Sequence, residues 1–311
     1  MRGITKYAIL LLGLLCTSAN ADAVVDVGVI TEIQGDVQLI RPSGVFAAAA
    51  GVALQGEDVI RTADNASAQL EMLDGSVFEL GPQSELYLAE YQLDRTDSVA
   101  KAEIGILNGW LRFLTGRLSR EAQYEYVTPT VTIGIRGTEG VIAAAEHETE
   151  LLLSDGQVDV AELDNDGRSG MVTALRAGEF LSRRQGQRTQ KFRQPSERFE
   201  RRRPARFRRQ FERRLANLRG RRALPRKLRE ANYHDVEGLL HSNPRLRQKF
   251  ERRFEKRLQN PEFRAKAKGP LKDHPQSDRE LNGSAPEHRR PTPERPARPP
   301  RPQKKDKNKG H

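Results

Sequence analysis

Between Val24 and about Leu181 the apolar residues recur at every second position. Ala68, Leu70 and Met72 alternate with Gln69 and Glu71, Phe78 and Leu80 flank Glu79, and Leu86 and Leu88 flank Tyr87. Val131, Ile133 and Ile135 alternate with Thr132 and Gly134 in the same way. A period of two sends one face of an extended segment into a core and leaves the other wet, so this stretch reads as half-buried strands. Turn signals punctuate the runs at Gly35-Asp36, Gly56-Glu57, Asp74-Gly75, Asn108-Gly109, Asp155-Gly156 and Asp164-Asn165-Asp166-Gly167. Asp-Gly and Asn-Gly supply the positive φ angles of tight hairpin turns. The stretch Leu70–Leu80 around Asp74-Gly75 echoes Leu151–Val160 around Asp155-Gly156. The echo predicts repeated hairpins or coils of one β unit, in a roll or a short solenoid-like form.

Charge divides the chain in two. Residues 1–190 carry 15 Lys and Arg against 27 Asp and Glu, and residues 191–311 carry 38 against 15, so that −12 and +23 sum to the net +11. Only Pro42, Pro82 and Pro129 of the 17 prolines precede residue 190. Such a split excludes one large globular enzyme using the whole length. A single apolar run, Ala8–Leu15, excludes a polytopic membrane protein. That run follows Arg2 and Lys6 and precedes Ala19-Asn20-Ala21 and Ala21-Asp22-Ala23, which predicts a cleaved signal peptide over residues 1–23. It is too short to cross the ~30 Å of a bilayer core. Cys16, the sole cysteine, follows Leu15, where lipidation favours a small residue, and cleavage removes it. Thiol catalysis and cysteine metal sites are thereby excluded from the mature chain, and the expected address is the periplasm.

The sequence Val127-Thr128-Pro129-Thr130-Val131-Thr132-Ile133-Gly134-Ile135-Arg136-Gly137-Thr138-Glu139 resembles the hallmark segment of FecR-type domains. Gly56–Thr62, Asp74-Gly75-Ser76, Pro82, Ser84-Glu85-Leu86, Tyr91 and Ala177-Gly178-Glu179 agree with that family, and the resemblance covers residues 28–182. Gly140 stands where the family usually has an aromatic residue, and Val131 replaces a common alanine. The resemblance implies an extracytoplasmic, all-β FecR-like domain with no cofactor. Well-known members pair such a module with a cytoplasmic segment that controls a sigma factor, while the periplasmic part senses an outer-membrane receptor during iron-siderophore uptake. With no cytoplasmic segment expected before the signal peptide and no spanning helix, the anti-sigma role is not expected here. Contact with a protein or an envelope polymer is.

The motif residues singled out, for structure or for binding, are Thr128, Pro129, Gly134, Arg136, Gly137, Thr138, Glu139, Asp74 and Gly75. Pro129 suits a strand start, and Gly-x-Arg-Gly marks a sharp change of direction. Arg136 either pairs with an acid such as Glu139 or meets a ligand carboxylate bidentately. No Gly-Lys-Ser/Thr follows, so a phosphate loop is excluded. No nucleophile elbow or His-Glu-x-x-His pair is present, and His147 is the one histidine of the β half. Asp164-x-Asp166-Gly167 lacks the later ligands of a calcium loop and reads as a turn. Glu146, Glu148 and Glu150 read as a strand's solvent face. The expectation is a protein that is not an enzyme and holds no metal.

Between Lys191 and Lys268, Phe-Glu-Arg-Arg recurs at 199–202, 211–214 and 250–253. Phe207, Phe211 and Leu215 align with Leu246, Phe250 and Phe254, and Leu258 continues the second set. Spacing of four predicts an apolar helical stripe flanked by arginines, starting at Asn243-Pro244 and stopping at Asn260-Pro261, with Pro204 and Pro225 breaking the first copy. These helices are expected to be marginal alone and to settle on a partner or an anionic membrane. Beyond Pro270 the prolines and cations predict an extended, disordered tail. The organisation expected is therefore a signal peptide (1–23), a FecR-like β domain (24–190), Arg-rich amphipathic helical segments (191–268) and a Pro/Lys/Arg-rich disordered tail (269–311). Two functions fit: a binding or adaptor module whose cationic region contacts anionic envelope components or a protein partner, and an extracytoplasmic sensor of a FecR-type signalling system. Export and the scarcity of stacking aromatics argue against nucleic acid. A tail that only solubilises is the plainest alternative.

Overall fold

The computed structural model describes residues 26–259, apart from residues 117, 165, 166, 168, 219–222 and 241–243. The expected signal peptide, the helix stop at Asn260-Pro261 and the proline-rich tail lie outside the described residues.

Among the described residues the chain runs through β1 (Asp26–Gln34), β2 (Val37–Arg41), β3 (Gly44–Ala47), β4 (Ala53–Gln55), β5 (Val59–Thr62) and β6 (Ser67–Met72). It continues through β7 (Val77–Leu80), β8 (Glu85–Leu93), β9 (Val99–Leu114), β10 (Leu118–Val127), β11 (Val131–Ile135) and β12 (Glu139–Ala145). Then follow β13 (Glu148–Asp155), β14 (Gln157–Leu163), β15 (Ser169–Arg176), β16 (Phe180–Arg184) and β17 (Gln190–Phe192).

Pairing sorts them into two sheets. Sheet I runs β4-β1-β6-β7-β9-β12-β13-β16-β17. Sheet II runs β3-β2-β5-β8-β9-β10-β11-β14-β15. The chain alternates between them one strand or one hairpin at a time, and β9 belongs to both. Its first part pairs with β8 and β10, and its last part, from Gly109 on, pairs with β7 and β12. Gly109 makes the bend with φ +88°, and a Cβ there would lie 2.5 Å from the Gln83 carbonyl oxygen. The β9–β10 pairing is parallel, whereas the other strand pairs among the described residues are antiparallel.

The alternation read from sequence holds. Leu70, Phe78, Leu80, Leu86, Leu88, Ile133 and Val160 are buried in one core fed by both sheets. Two turn signals act differently from expectation. Asp74-Gly75 closes the β6–β7 hairpin. Asn108-Gly109 is instead a bend inside a strand, and Asp155-Gly156 is a corner from sheet I to sheet II, because β13 and β14 do not pair with each other. A positive φ serves a corner as well as a hairpin, so the dipeptide alone does not distinguish them.

The strands' second faces are not uniformly wet. Gln69, Glu71, Glu79 and Glu150 are buried, because the basic segment crosses over them. Helix α1 (Glu197–Arg202) starts where the Ser196 hydroxyl accepts from the Phe199 N–H, with Glu197 and Glu200 in its first turn. Its end precedes Pro204. Phe199 packs among Phe180, Val141 and Ala143, with Phe207 in the same cluster and Trp110 against it. A 3-10 turn (Ala205–Arg208) and an irregular stretch lead to a second 3-10 turn (Leu215–Leu218). The first repeat is therefore not the helix its spacing predicts. Its backbone bonds to the sheet's outward side chains instead: Arg112 donates to the Arg209 carbonyl (2.5 Å), Gln69 donates to the Glu212 carbonyl (2.7 Å), and the Arg214 N–H donates to Glu71.

Strand β18 (Arg226–Arg229) then pairs with β3 and becomes the outer strand of sheet II. Asn232 and Asp235 form a capping box, α2 (Glu237–Leu240) follows, and α3 (Pro244–Leu258) lies on the outer face of sheet II. The second repeat is helical, starting at the expected Pro244. Leu246, Phe250 and Phe254 are buried with Ile40, Val59, Tyr87, Leu107 and Val127. The Phe250 and Phe254 rings stack at 4.1 Å, and Tyr87 meets Phe250 edge-on at 6.0 Å. The stripe expected to seek a membrane is covered by the chain's own sheet. The side chains of Leu215 and Leu258 lie outside the described set. The composition boundary near residue 190 is crossed by packing, and the described residues fall in one compact unit.

Candidate functional site

Five corners stack along one edge of the fold. The first is the β6–β7 turn, where Asp74 accepts from the Ser76 N–H (3.2 Å), the Ser76 hydroxyl (2.6 Å) and the Tyr91 hydroxyl (2.8 Å). The Ser76 hydroxyl in turn accepts from the Gly116 N–H (2.8 Å) after β9. Thr115 N–H donates to the Thr138 carbonyl (3.0 Å), tying that second corner to Arg136-Gly137-Thr138 between β11 and β12. Gly156 packs so close to the third corner that a Cβ would lie 2.6 Å from the Gly137 carbonyl oxygen, and its φ of +85° also favours glycine. Ala177 N–H donates to the Gly156 carbonyl (3.0 Å), joining the last corner, Ala177-Gly178-Glu179.

Asp74, Gly75, Gly137, Thr138 and Ala177-Gly178-Glu179, far apart in sequence, thus line one ladder. Thr128 and Pro129 do not join it. They close the β10–β11 hairpin at the other end of β11, where the Thr128 and Thr130 hydroxyls each meet the Thr149 hydroxyl at 2.8 Å. Gly134 sits mid-strand, where a Cβ would make only an ordinary 3.7 Å contact. At Gly140 a Cβ would collide with the Phe113 ring at 2.9 Å, so Phe113 fills the space beside the position where the family usually has an aromatic.

Beneath the first corner lies an aromatic cluster. Tyr124 meets Tyr91 and Tyr126 edge-on at 6.3 and 5.6 Å, and Phe113 lies 4.7 Å from Tyr126. Burial pushes the phenols of Tyr91, Tyr124 and Tyr126 far above their ordinary range, so they stay neutral. The ladder's inner side is fixed structure, not reactive chemistry.

Its outer side differs. Glu139, the acid expected to hold Arg136, is engaged by Arg112 at 2.9 Å. Arg112 also meets Glu79 at 3.4 Å and stands 3.6 Å over the Phe211 ring, so Glu139 belongs to the lattice that seats the basic segment. Arg136 is exposed, and its guanidinium has no ion pair or hydrogen bond among the described residues. On the same edge Arg213 donates to the Gly75 carbonyl at 2.7 Å.

The residues that seat the basic segment were not singled out from sequence. Arg202 meets Glu150 at 2.5 Å and Arg206 meets Glu32 and Glu79 at 3.6 Å. Burial pushes the Glu79 and Glu150 carboxyls above their ordinary value, outweighing the arginines that pull them down. The signal available was the coincidence of glutamates at outward positions with a phenylalanine–arginine repeat of opposite charge. Among the described residues no cluster of His, Cys, Asp and Glu has the arrangement of a metal site, and no helix is long and apolar enough to cross a membrane.

Comparison with solved structures finds two crystal structures of a "putative anti-sigma factor" from Parabacteroides distasonis, each 14% identical, covering 46% of this chain and 62% of that one, with a TM-score of 0.37. The alignment thus spans less than two thirds of those chains. No curated protein matches. The family model described as FecR protein matches residues 58–159, a span that holds the first four corners of the ladder and the Thr128-Pro129 turn. Those residues are a FecR domain.

Proposed function

We propose that this protein is a non-enzymatic regulatory or sensory module of the FecR type, working outside the cytoplasm and binding a protein partner on the outer side of the corner ladder. Arg136 carries the reading. It occupies the middle of the family motif, the acid nearest in sequence is taken by Arg112, and a guanidinium left exposed on a rigid corner suits a partner's carboxylate. Arg202, Arg206, Arg214, Arg245 and Lys249 of the basic segment are engaged in cis, at Glu150, Glu79, Glu32, Glu103 and Glu90.

The test is a photo-crosslinking amino acid at position 155, exposed beside the Arg136 corner and leaving Arg136 intact, with position 187 as control, in cells carrying the intact envelope. One envelope protein should be captured from 155 and not from 187. Arg136→Glu should lower the affinity of that protein about tenfold or more without moving the melting temperature. Equal capture from both positions, or an unaltered affinity, would overturn the reading.

A further inference from the structure

Four strands end the two sheets, and three of them are guarded. Strands β4 and β17 have 3 residues each, and β18 has 4, of which Arg226, Lys227 and Arg229 are charged. Short length and cations are the usual means of keeping an edge from pairing with another chain. Strand β15 has neither protection: it is 8 residues long, holds no proline or lysine, and carries one charge, Arg176, at its end. It pairs with β14 alone. Met171 and Val172 on it are 55% and 60% exposed.

The direction of its free backbone groups follows from three contacts. The Ala174 carbonyl is met by Lys191 Nζ at 3.4 Å, and the Arg176 N–H donates to Glu179 Oε2 at 2.8 Å, both on the side away from β14. The Ala177 N–H turns the other way, to the Gly156 carbonyl. In an antiparallel ladder alternate residues point both their N–H and C=O to one side. The register with β14 is unbroken from Val172 to Arg176, so Val172 presents both groups outward, and Ala174 presents its N–H outward. Among the described residues, Lys191 and Glu179 cover part of the edge and leave this centre open.

We propose that the open edge of β15 receives an extended, acidic segment of a partner protein as an added strand. The free N–H and C=O groups require an extended backbone, and exposed Val172 offers the alternate apolar contact that fixes register. Charge selects the partner. The guanidiniums of Arg176 and Arg188 make no close ion pair among the described residues, though Arg176 lies near enough to help lower the Glu179 carboxyl and Arg188 that of Glu162. The site is separate from Arg136, and its fate does not depend on that residue.

The probe is a short capped peptide alternating glutamate and valine, added to the full chain, with amide hydrogen exchange read at Val172 and Ala174. Exchange at both should slow about tenfold or more. The same peptide N-methylated at alternate residues, which cannot pair along an edge, should have no effect. Val172→Pro removes an outward N–H without touching the β14 pairing and should abolish the slowing with the melting temperature held. No slowing at saturating peptide, equal slowing by a lysine–valine peptide or by the N-methylated one, or a doubled mass without peptide (the edge then serving a second copy) would each overturn the proposal.

Discussion

Lys249 Nζ on α3 stands 2.6 Å from the Glu90 carboxylate on β8, across 159 residues of sequence. The same ammonium reaches Glu103 at 3.1 Å, and Arg245 reaches Glu103 at 2.6 Å and Glu125 at 3.0 Å. Glu103 is 2% exposed, so its charge is tolerable only while these cations stay over it. The acidic front and basic back of the chain are two sides of one contact.

Under this contact, Phe250 and Phe254 do the apolar work. Replacing both by serine leaves every charge in place and puts two hydroxyls among Tyr87, Val59 and Val127. A single buried Phe→Ala change costs about 3–5 kcal/mol, so the double variant should melt roughly 10 °C or more below the parent. Calorimetry checks this. An unchanged melting temperature would mean that α3 does not rest on sheet II.

On the other sheet, Trp110 is the single tryptophan of the chain and reports directly on the strap, the stretch 197–218 that crosses sheet I. Phe199 lies 5.2 Å from it, and the Arg202 guanidinium 5.8 Å above it. Phe199→Ala should red-shift the emission of Trp110 and destabilise the fold by about 3–5 kcal/mol. Emission unmoved would place the strap elsewhere in solution.

Much of this was legible from local rules. Period-two alternation located the core-facing residues, and the family motif marked the ladder before its members were seen to stack. Helix α3 was legible from its Pro start and four-residue spacing. The strap was not, because its spacing imitates a helix while each phenylalanine and arginine answers a different strand below. Glu79 and Glu150 looked like solvent-facing strand residues for the same reason: nothing local tells which second face a distant segment will cover. Arg136 was legible as a candidate, but its partner was not, since Arg112 reaches Glu139 only through the β9–β12 pairing.

Among the described residues, 26–190 hold the main core, with Ala223 the one later residue packed against it. We expect this fragment to fold with β-type circular dichroism but to bind a hydrophobic dye strongly. Removing the strap and α3 uncovers Phe180, Val141, Tyr87 and Val59. It should melt well below the full chain. A fragment as stable as the parent and dye-silent would show that these faces need no cover.

Acid should release the two basic segments at different points. Burial raises Glu79 and Glu150 in the fold, so their contribution favours the folded state below the ordinary carboxylate value and is lost as pH rises through the raised one. Protonating them does not drive unfolding. Glu90 is the reverse: burial pushes it up, but the hydrogen bonds and charges of Lys249 and Lys101 together hold it below its ordinary value. Its contribution is present above the unfolded value and disappears as pH falls through the depressed folded one. Lowering pH from ~7 to ~3 should therefore diminish the far-ultraviolet helix signal of α3 before Trp110 emission shifts. Glu90→Gln should lower the melting temperature near neutral pH, and its difference from the parent should vanish as pH falls through the depressed folded value of Glu90. Trp110 shifting first would show that the strap, and not α3, depends on ionised carboxylates.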